Sequence, residues 1–316
     1  MTPPAPQQPP PAGLAEIALG SRSCPVCGSR DDSNIYCDAE YDPDRLDQFA
    51  FSSRKPPEYM HHRMVRCSTC DILYANPAPV ESALRRAYRD AAYDSRAEAA
   101  FAARTYAGLV RPFLSQLPNL GRAMDIGAGS GEFVKELLAL GFSDVVGVEP
   151  SRAPVEAAPP EIRSRLRQSP FRATDFTPGS HSLITCLQTI EHLSEPGATC
   201  RELWTLLEPG GAVLLVGHDY RSVVTRILGL KSPIFDIEHL QLFSAAGFRQ
   251  LLERCGFTGV RVSRVVNRYP VHYFLRLLPI PPAIKPRLIA LSKRFGVGNL
   301  VCPVPFGNLA AVGFKR

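Results

Sequence analysis

Four cysteines near the start of the chain form two C-x-x-C pairs: Cys24 with Cys27, and Cys67 with Cys70. Each pair places two thiolates on one short turn, and four thiolates are a common ligand set of a tetrahedral structural zinc site. The interval between the pairs, residues 28–66, is longer than in compact zinc ribbons, and Cys37, His61 or His62 within it could replace one ligand. The spacing predicts a zinc ribbon over residues 21–78, whose zinc has no open position for catalysis.

A glycine-rich loop is the second candidate site. In the stretch AMDIGAGSGEF, residues 123–133, glycine recurs at alternate positions: Gly127, Gly129 and Gly131. The stretch joins a predicted strand to a predicted helix, so the loop N–H groups and the positive end of the helix face the same point. That point suits a carboxylate or a phosphate. The spacing G-x-G-x-G, followed by Glu132, differs from the G-x-G-x-x-G of dinucleotide-binding loops.

Two acidic residues accompany this loop. Asp125 precedes the glycines, and Glu149 ends the next predicted strand. A carboxylate at the end of that strand can accept hydrogen bonds from both hydroxyls of a ribose. Acids at two adjacent strand ends favour a cationic ligand that carries a nucleoside. S-adenosylmethionine fits this description, with its amino group near Asp125 and its carboxylate near the loop amides.

The elements that position these residues alternate in type from Arg122 onward. RAMDIG, DVVGVEP, SLITCLQT and AVLLVGH have the pattern of buried parallel strands. EFVKELLALG and SAAGFRQLLERCGF have the pattern of helices that end at a glycine, the second with Ser244 as its N-cap. The alternation predicts an α/β fold with a doubly wound, Rossmann-like sheet. GVRVSRVV and NLAAVGFKR predict two last strands that pair antiparallel.

Together these motifs resemble the class I S-adenosylmethionine-dependent methyltransferases between Arg122 and Phe257. DIGAGSG matches the glycine motif of that family, VVGVEPS its ribose-binding acid, LQTIEHLSEP its fourth strand and LLEPGGAVLLV its turn into the fifth strand. The cysteine pairs ahead of a tyrosine-rich helix are similar to the zinc-ribbon branch. The resemblance implies a seven-stranded sheet with an antiparallel last strand. It also implies that Tyr88 and Tyr93 cover the cofactor, or else pack the ribbon against the domain.

The resemblance implies further cofactor contacts from three residues within its motifs: Ala128, Pro150 and Gln188. In the family, an acid at the end of the third strand contacts the adenine amino group, but here Pro170 stands near that place. Adenine recognition is therefore expected from stacking on Phe171 and from backbone contacts.

Three histidines are candidates for the base that takes a proton from the methyl acceptor: His192, His218 and His239. Each lies at or beyond the end of a predicted strand, on the side where the cofactor must lie, and histidine titrates near neutral pH. His239 is the first candidate, because the family places a histidine before Leu-x-x-Phe-Ser in the substrate pocket. Glu191 with His192 could instead hold a divalent metal, as similar pairs do in some quinone-precursor methyltransferases. His181 precedes its strand and is expected at the surface.

The resemblance implies a methyltransferase that acts on a small hydroxylated molecule, such as a sugar or a lipid-linked saccharide. Two alternatives stay open: an RNA methyltransferase that binds RNA through its ribbon, and a binding module without catalysis. The net charge of +6 is spread along the chain, and the acidic stretch RDDSNIYCDAEYDPDRLDQ between the cysteine pairs disfavours RNA. Intact Asp125 and Glu149 disfavour the second alternative. The odd number of cysteines, 9, fits a reducing cytoplasm better than a disulfide framework.

The sequence divides into four predicted segments: a disordered proline-rich tail at 1–20, the ribbon at 21–78, a helical linker and cofactor cover at 79–120, and the methyltransferase domain at 121–316. Within the last segment, residues 267–307 form an insertion far longer than a hairpin turn requires. One predicted helical face of the insertion is apolar, with Ile284, Leu288, Leu291 and Phe295, while Lys285, Lys293 and Arg294 lie off it. This face either completes the core or contacts the inner surface of a membrane.

Overall fold

Short strands surround the cysteine pairs in this computed structural model, which describes residues 18–42, 50–52, 57–91, 96–281 and 283–316. The elements are β1 (Leu19–Gly20), β2 (Ile35–Cys37), β3 (Met64–Arg66), β4 (Leu73–Ala75), β5 (Ala78–Pro79), α1 (Glu81–Asp90) and α2 (Arg96–Val110). The predicted disorder of the tail concerns residues outside the described ones, apart from the last three, residues 18–20, of which Leu19 and Gly20 form β1 and pair with β5.

Strands and helices alternate through the rest of the chain. They are β6 (Arg122–Ile126), α3 (Glu132–Ala139), β7 (Asp144–Glu149), α4 (Arg152–Ala157), α5 (Pro160–Arg163), β8 (Leu166–Gln168), β9 (His181–Leu187), α6 (Pro196–Leu206), β10 (Leu207–His218), α7 (Val223–Leu228), β11 (Gln241–Leu242), α8 (Ala245–Arg254), β12 (Thr258–Pro270), α9 (Val271–Leu277), α10 (Lys285–Arg294) and β13 (Val301–Phe314). The predicted cap of α8 is present, since Ser244 Oγ accepts a hydrogen bond from the Gly247 amide at 3.0 Å.

Seven strands form the central sheet, in the order β12-β13-β10-β9-β6-β7-β8. β13 runs antiparallel to both of its neighbours, whereas β10, β9, β6, β7 and β8 are parallel. The predicted α/β sheet with an antiparallel last strand is confirmed. Every residue of β9 is buried, because helices cover both faces of the sheet. The strand order reverses between β6 and β9, and the carboxyl ends of the strands on either side are therefore the expected place for a ligand.

β11 follows His239 and belongs to the sheet of the ribbon, whose order is β11-β4-β3-β2. Gln241 pairs with Tyr74, and Leu242 pairs with Leu73. The guanidinium of Arg22 adds to this connection by donating hydrogen bonds to three carbonyl oxygens, those of Ala75, Ser194 and Leu240. The ribbon is thus joined to the two loops that carry His192 and His239.

β12 and β13 extend well beyond the central sheet and remain paired as far as Pro270 and Val301. The helical insertion between them is therefore residues 271–300, shorter than the predicted 267–307, and it contains α9 and α10. The expectation that the apolar face of α10 completes the core is wrong, because Leu291 is 51% exposed and Phe295 is 71% exposed. No helix in the described part of the chain is both long enough and apolar enough to span a bilayer.

Candidate active site

The glycine loop connects β6 to α3, and all three of its glycines have positive φ: Gly127 at 74°, Gly129 at 53° and Gly131 at 75°. A Cβ at Gly127 would lie 2.1 Å from Thr189 Oγ1, and a Cβ at Gly131 would lie 2.4 Å from Ile162 Cγ2. A Cβ at Gly129 would meet nothing within 4 Å. Two of the glycines thus permit close packing, while the third leaves open space beside the loop.

Glu149 holds this loop in place. Its Oε2 accepts a hydrogen bond from the Gly129 amide at 2.9 Å, and its Oε1 accepts one from the Ser151 amide at 2.8 Å. Burial raises the pKa of Glu149, and these two amide donors act in the opposite direction. At the end of β6, the buried carboxylate of Asp125 accepts a hydrogen bond from Thr185 Oγ1 at 2.6 Å. The sequence indicated both acids as ligands but not the role of Glu149 in shaping the loop.

A cavity of about 560 Å³ lies beside this loop. It is lined by most of the predicted cofactor residues: Asp125, Gly127, Ala128, Gly129, Glu149, Pro150, Phe171 and Gln188. Gly131 is not among the residues that line this cavity, and it packs closely against Ile162. Side chains from α1 and α2, among them Tyr88 and Tyr106, also line this cavity. The volume is in the range of small-molecule and cofactor sites.

A second, smaller cavity of about 140 Å³ adjoins the first. Four residues line both cavities: Tyr106, Gln188, His192 and Glu238. The smaller one also contains the other two candidate bases, His218 and His239, and a wall of aromatic side chains, namely Tyr269, Tyr273, Phe274 and Phe306. The structure therefore brings the three predicted histidines together at the junction of two cavities.

The rings of these histidines form a row with His239 in the middle, 5.0 Å from His192 and 5.0 Å from His218 between centroids. His239 Nδ1 lies 2.8 Å from the carbonyl oxygen of Ile234. Because a carbonyl only accepts, Nδ1 carries the proton, and the lone pair of the neutral ring is on Nε2. His218 is oriented in the same way, with Nδ1 2.9 Å from Asn308 Oδ1.

His192 uses both of its nitrogens within the protein. Nε2 lies 3.1 Å from the carbonyl oxygen of Gln188, and Nδ1 lies 2.9 Å from Tyr88 Oη and 3.1 Å from the carbonyl oxygen of Glu238. Burial raises the pKa of Tyr88 well above its usual value, so its hydroxyl stays a donor. Burial also lowers the pKa of His192. Both nitrogens of His192 are therefore engaged by groups of the protein, and His192 connects Tyr88 with the chain at Gln188 and Glu238.

Candidate metal ligands near the histidines are grouped differently from the prediction. Ligand atoms of Glu191, His218 and His239 lie within 4.8 Å of one another, so the structure pairs Glu191 with these two rather than with His192. Glu191 is fully buried, and its Oε1 accepts a hydrogen bond from the His218 amide. Its Oε2 has no hydrogen-bond partner among the described residues.

The four predicted zinc ligands meet at one point. The Sγ atoms of Cys24 and Cys70 are 3.4 Å apart. The Sγ atom of Cys27 lies 3.5 Å from that of Cys67 and 3.8 Å from that of Cys70. The alternative ligands lie elsewhere: His61 Nδ1 is 3.7 Å from Cys37 Sγ, and His62 Nε2 donates to the carbonyl of Ile237 at 2.9 Å.

Two features of the site were not indicated by any motif: the backbone conformation of Gln188 and the position of Asn308. Gln188 was predicted as a ligand, but not its positive φ of 54°, a conformation uncommon outside glycine that turns the chain between the two cavities. Its buried Nε2 has no hydrogen-bond partner among the described residues. Asn308, on β13, lies far from the motifs in sequence. Tyr88 lines the larger cavity, whereas Tyr93 lies outside the described residues.

The sequence profile of one protein family, described as a methyltransferase domain, matches residues 97–262. The chain is 27% identical over 118 residues to the ubiquinone biosynthesis O-methyltransferase of Marinobacter nauticus, covering 34% of this chain and 49% of that protein. It is 29% identical over 116 residues to the protein of the same name from Pseudomonas aeruginosa, covering 34% and 50%. The chain thus spans about half the length of these curated relatives.

Solved structures with a similar fold include an S-adenosylmethionine-dependent methyltransferase from Archaeoglobus fulgidus, at 13% identity and a TM-score of 0.46, covering 67% of this chain and 94% of that one. Another is the geranyl diphosphate C-methyltransferase of Streptomyces coelicolor, at 13% identity and a TM-score of 0.45, covering 67% and 80%.

Proposed function

The chain belongs to the methyltransferase-domain family, and we propose that it transfers the methyl group of S-adenosylmethionine to a hydroxyl oxygen of a small, ring-shaped acceptor. The observation that carries this proposal is the junction of the two cavities. Gln188 and His192 line both of them, with the glycine loop on one side and His239 on the other. An in-line displacement needs donor and acceptor on adjacent sides of one opening. Relatives named as O-methyltransferases support oxygen as the accepting atom.

Two observations support a fit between the larger cavity and S-adenosylmethionine. The open space at Gly129, which a Cβ would enter, leaves room for a ligand against the loop. The buried Nε2 of Gln188 is a donor that needs an acceptor. Asp125 and Glu149 would hold the amino group and the ribose, and Phe171 would stack on the adenine. When bound, the cofactor supplies an electrophilic methyl group.

His239 is the residue we assign as the base. Its Nδ1–H is donated to the Ile234 carbonyl, so the lone pair on Nε2 can accept the proton of the acceptor hydroxyl. The same carbonyl stabilises the imidazolium that results. Since His239 is buried, and the other residues that line the smaller cavity are buried or partly buried, access of water to the reacting atoms is restricted.

The dimensions and walls of the smaller cavity support the class of acceptor. A volume of about 140 Å³ suits a single ring. The aromatic side chains on its wall favour an acceptor with an apolar ring face, which a sugar or a hydroxylated aromatic ring provides. A soluble sugar and a lipid-linked head group both meet this description.

We also propose that the four clustered cysteines bind one structural zinc ion. Zinc–sulfur bonds of about 2.3 Å in a tetrahedron place the sulfurs about 3.8 Å apart, and three of the separations here are 3.4 to 3.8 Å. The ion would hold the ribbon that pairs with β11 and so supports the chain next to His239.

A substitution at His239 tests the assignment. Asparagine retains an N–H that can reach the Ile234 carbonyl but provides no base, so turnover of a hydroxylated acceptor should fall by about 10²- to 10⁴-fold. The affinity for S-adenosylmethionine, measured by calorimetry, should not change. His272→Asn, at a partly buried histidine outside both cavities, is the matched control. Full activity of His239→Asn would refute the assigned base, and absence of cofactor binding by the wild type would refute the proposed function.

A further inference from the structure

An exposed structure projects from the acceptor side of the molecule. We call it the arm: the paired ends of β12 and β13 from Asn267 and Val304 outward, with α9 and α10 between them. On α10 and its flanks, apolar side chains follow helical spacing and point to solvent: Ile284 is 49% exposed, Leu288 38%, Leu291 51% and Phe295 71%. A row of exposed apolar residues on one helical face is typical of an interaction site.

The arm also has a marked excess of positive charge. No aspartate or glutamate occurs between Arg254 and Arg316. Basic residues of the arm are Arg268, Arg276, Lys285, Arg287, Lys293 and Arg294. Arg287, Lys293 and Arg294 are exposed, and none of them takes part in an ion pair among the described residues. A short helix with an apolar face and a basic rim is the pattern of a segment that lies in the surface of an anionic bilayer.

The base of the arm forms a wall of the smaller cavity. Tyr269, Tyr273, Phe274 and Leu277 line this cavity from the arm, and Phe306 lines it from β13. The exposed apolar face of α10 is therefore linked, through α9, to the place where the methyl acceptor would bind. An acceptor that carries an apolar chain could keep this chain in the lipid while its ring enters the cavity.

We propose that the arm docks on an anionic membrane surface and that the acceptor is an amphiphile with an apolar chain, an inference that rests on the proposed methyltransferase function. The aliphatic side chains of α10 favour lipid over RNA, because RNA-binding surfaces combine basic residues with aromatic stacking.

The test is co-sedimentation of the full chain with vesicles of phosphatidylcholine mixed with phosphatidylglycerol, and with vesicles of phosphatidylcholine alone. The wild type should bind only the anionic vesicles, and high salt should weaken binding because it screens exposed charges. Arg287/Lys293/Arg294→Gln should partition about a hundredfold more weakly, since each basic residue at an anionic surface contributes severalfold. Lys285 is kept because its Nζ donates to the carbonyl of Arg276 at 3.0 Å.

Two further variants make the test specific. Leu291/Phe295→Ser removes the apolar contact and should reduce binding at high salt, where electrostatic attraction is weak. Arg30/Arg111/Arg254→Gln removes the same charge from exposed positions outside the arm and should bind vesicles as the wild type does.

The inference is overturned by any of three results. The wild type does not sediment with anionic vesicles, the control variant loses as much binding as the arm variant, or the full chain binds bulk tRNA but not vesicles. Calorimetry with S-adenosylmethionine on the same preparations separates these outcomes from a failure of the proposed function.

Discussion

Gly129 provides a direct test of where the cofactor lies. Its φ of 53° is in the left-handed region, and a Cβ there would meet no atom within 4 Å. Gly129→Ala should therefore fold, at a cost of about 1–2 kcal/mol for the left-handed conformation of an L-residue. The new methyl group would occupy the space beside the loop. Crowding of this kind costs about 1–3 kcal/mol, which corresponds to roughly 5- to 150-fold weaker binding of S-adenosylmethionine.

Gly179 offers a matched control for the strain alone. It has a φ of 64°, its Cβ would also meet nothing within 4 Å, and it does not line either cavity. Thermal unfolding should show a similar loss of stability for Gly179→Ala and Gly129→Ala. Calorimetry with S-adenosylmethionine should show weaker binding only for Gly129→Ala. Equal affinities of the two variants would refute the placement of the cofactor against the glycine loop.

Three other predictions concern the loop, the ribbon and pH. Glu149→Gln replaces one carboxylate oxygen, which accepts a hydrogen bond from the amide of Gly129 or Ser151, by an NH2 group that can only donate. The variant should bind S-adenosylmethionine more weakly by about 2–4 kcal/mol in calorimetry. An unchanged Kd would contradict the role of the carboxylate. The purified protein should contain about one zinc per chain by elemental analysis. Cys70→Ser should lose the metal, and it should reduce the turnover of the methyl acceptor more than the affinity for S-adenosylmethionine. Freshly prepared protein without metal would exclude the zinc site. Burial lowers the pKa of His181 to about 4. The free energy of unfolding, measured by urea titration, should therefore decrease by roughly 2–3 kcal/mol as the pH falls from about 6.5 towards 4. His181→Asn should show a smaller decrease, and parallel curves for the two proteins would contradict this prediction.

The sequence predicted the sheet and the ligand-bearing strand ends because both depend on local patterns. Apolar runs, glycine spacing and a carboxylate at a strand end are visible within a few residues, and the structure places Asp125 and Glu149 where these patterns indicate. Sequence could not distinguish the three glycines of the loop. Gly127 and Gly131 are required by Thr189 and Ile162, which are distant in the chain.

The histidines also show the difference between what local sequence patterns predict and what depends on contacts between distant residues. All three candidates were found because they follow strands, but their separate roles depend on partners from other elements. His192 is engaged by Tyr88 and the Gln188 carbonyl, which no spacing reveals. His181 was expected at the surface and this was wrong: it is 1% exposed. The first residue of a strand can be buried when neighbouring elements cover it, which a local pattern does not record.

The pairing of β11 with β4 has a consequence for the order in which the protein folds. During synthesis the cysteine pairs emerge first, but Gln241, the partner of Tyr74, emerges only after most of the central sheet. Until then one edge of β4 has no strand beside it, and an open edge is a site for unwanted pairing with other chains. Contacts between such distant parts of a chain also form slowly. We therefore expect a fragment that contains the ribbon alone to aggregate more readily than the full chain, even when it is supplied with zinc.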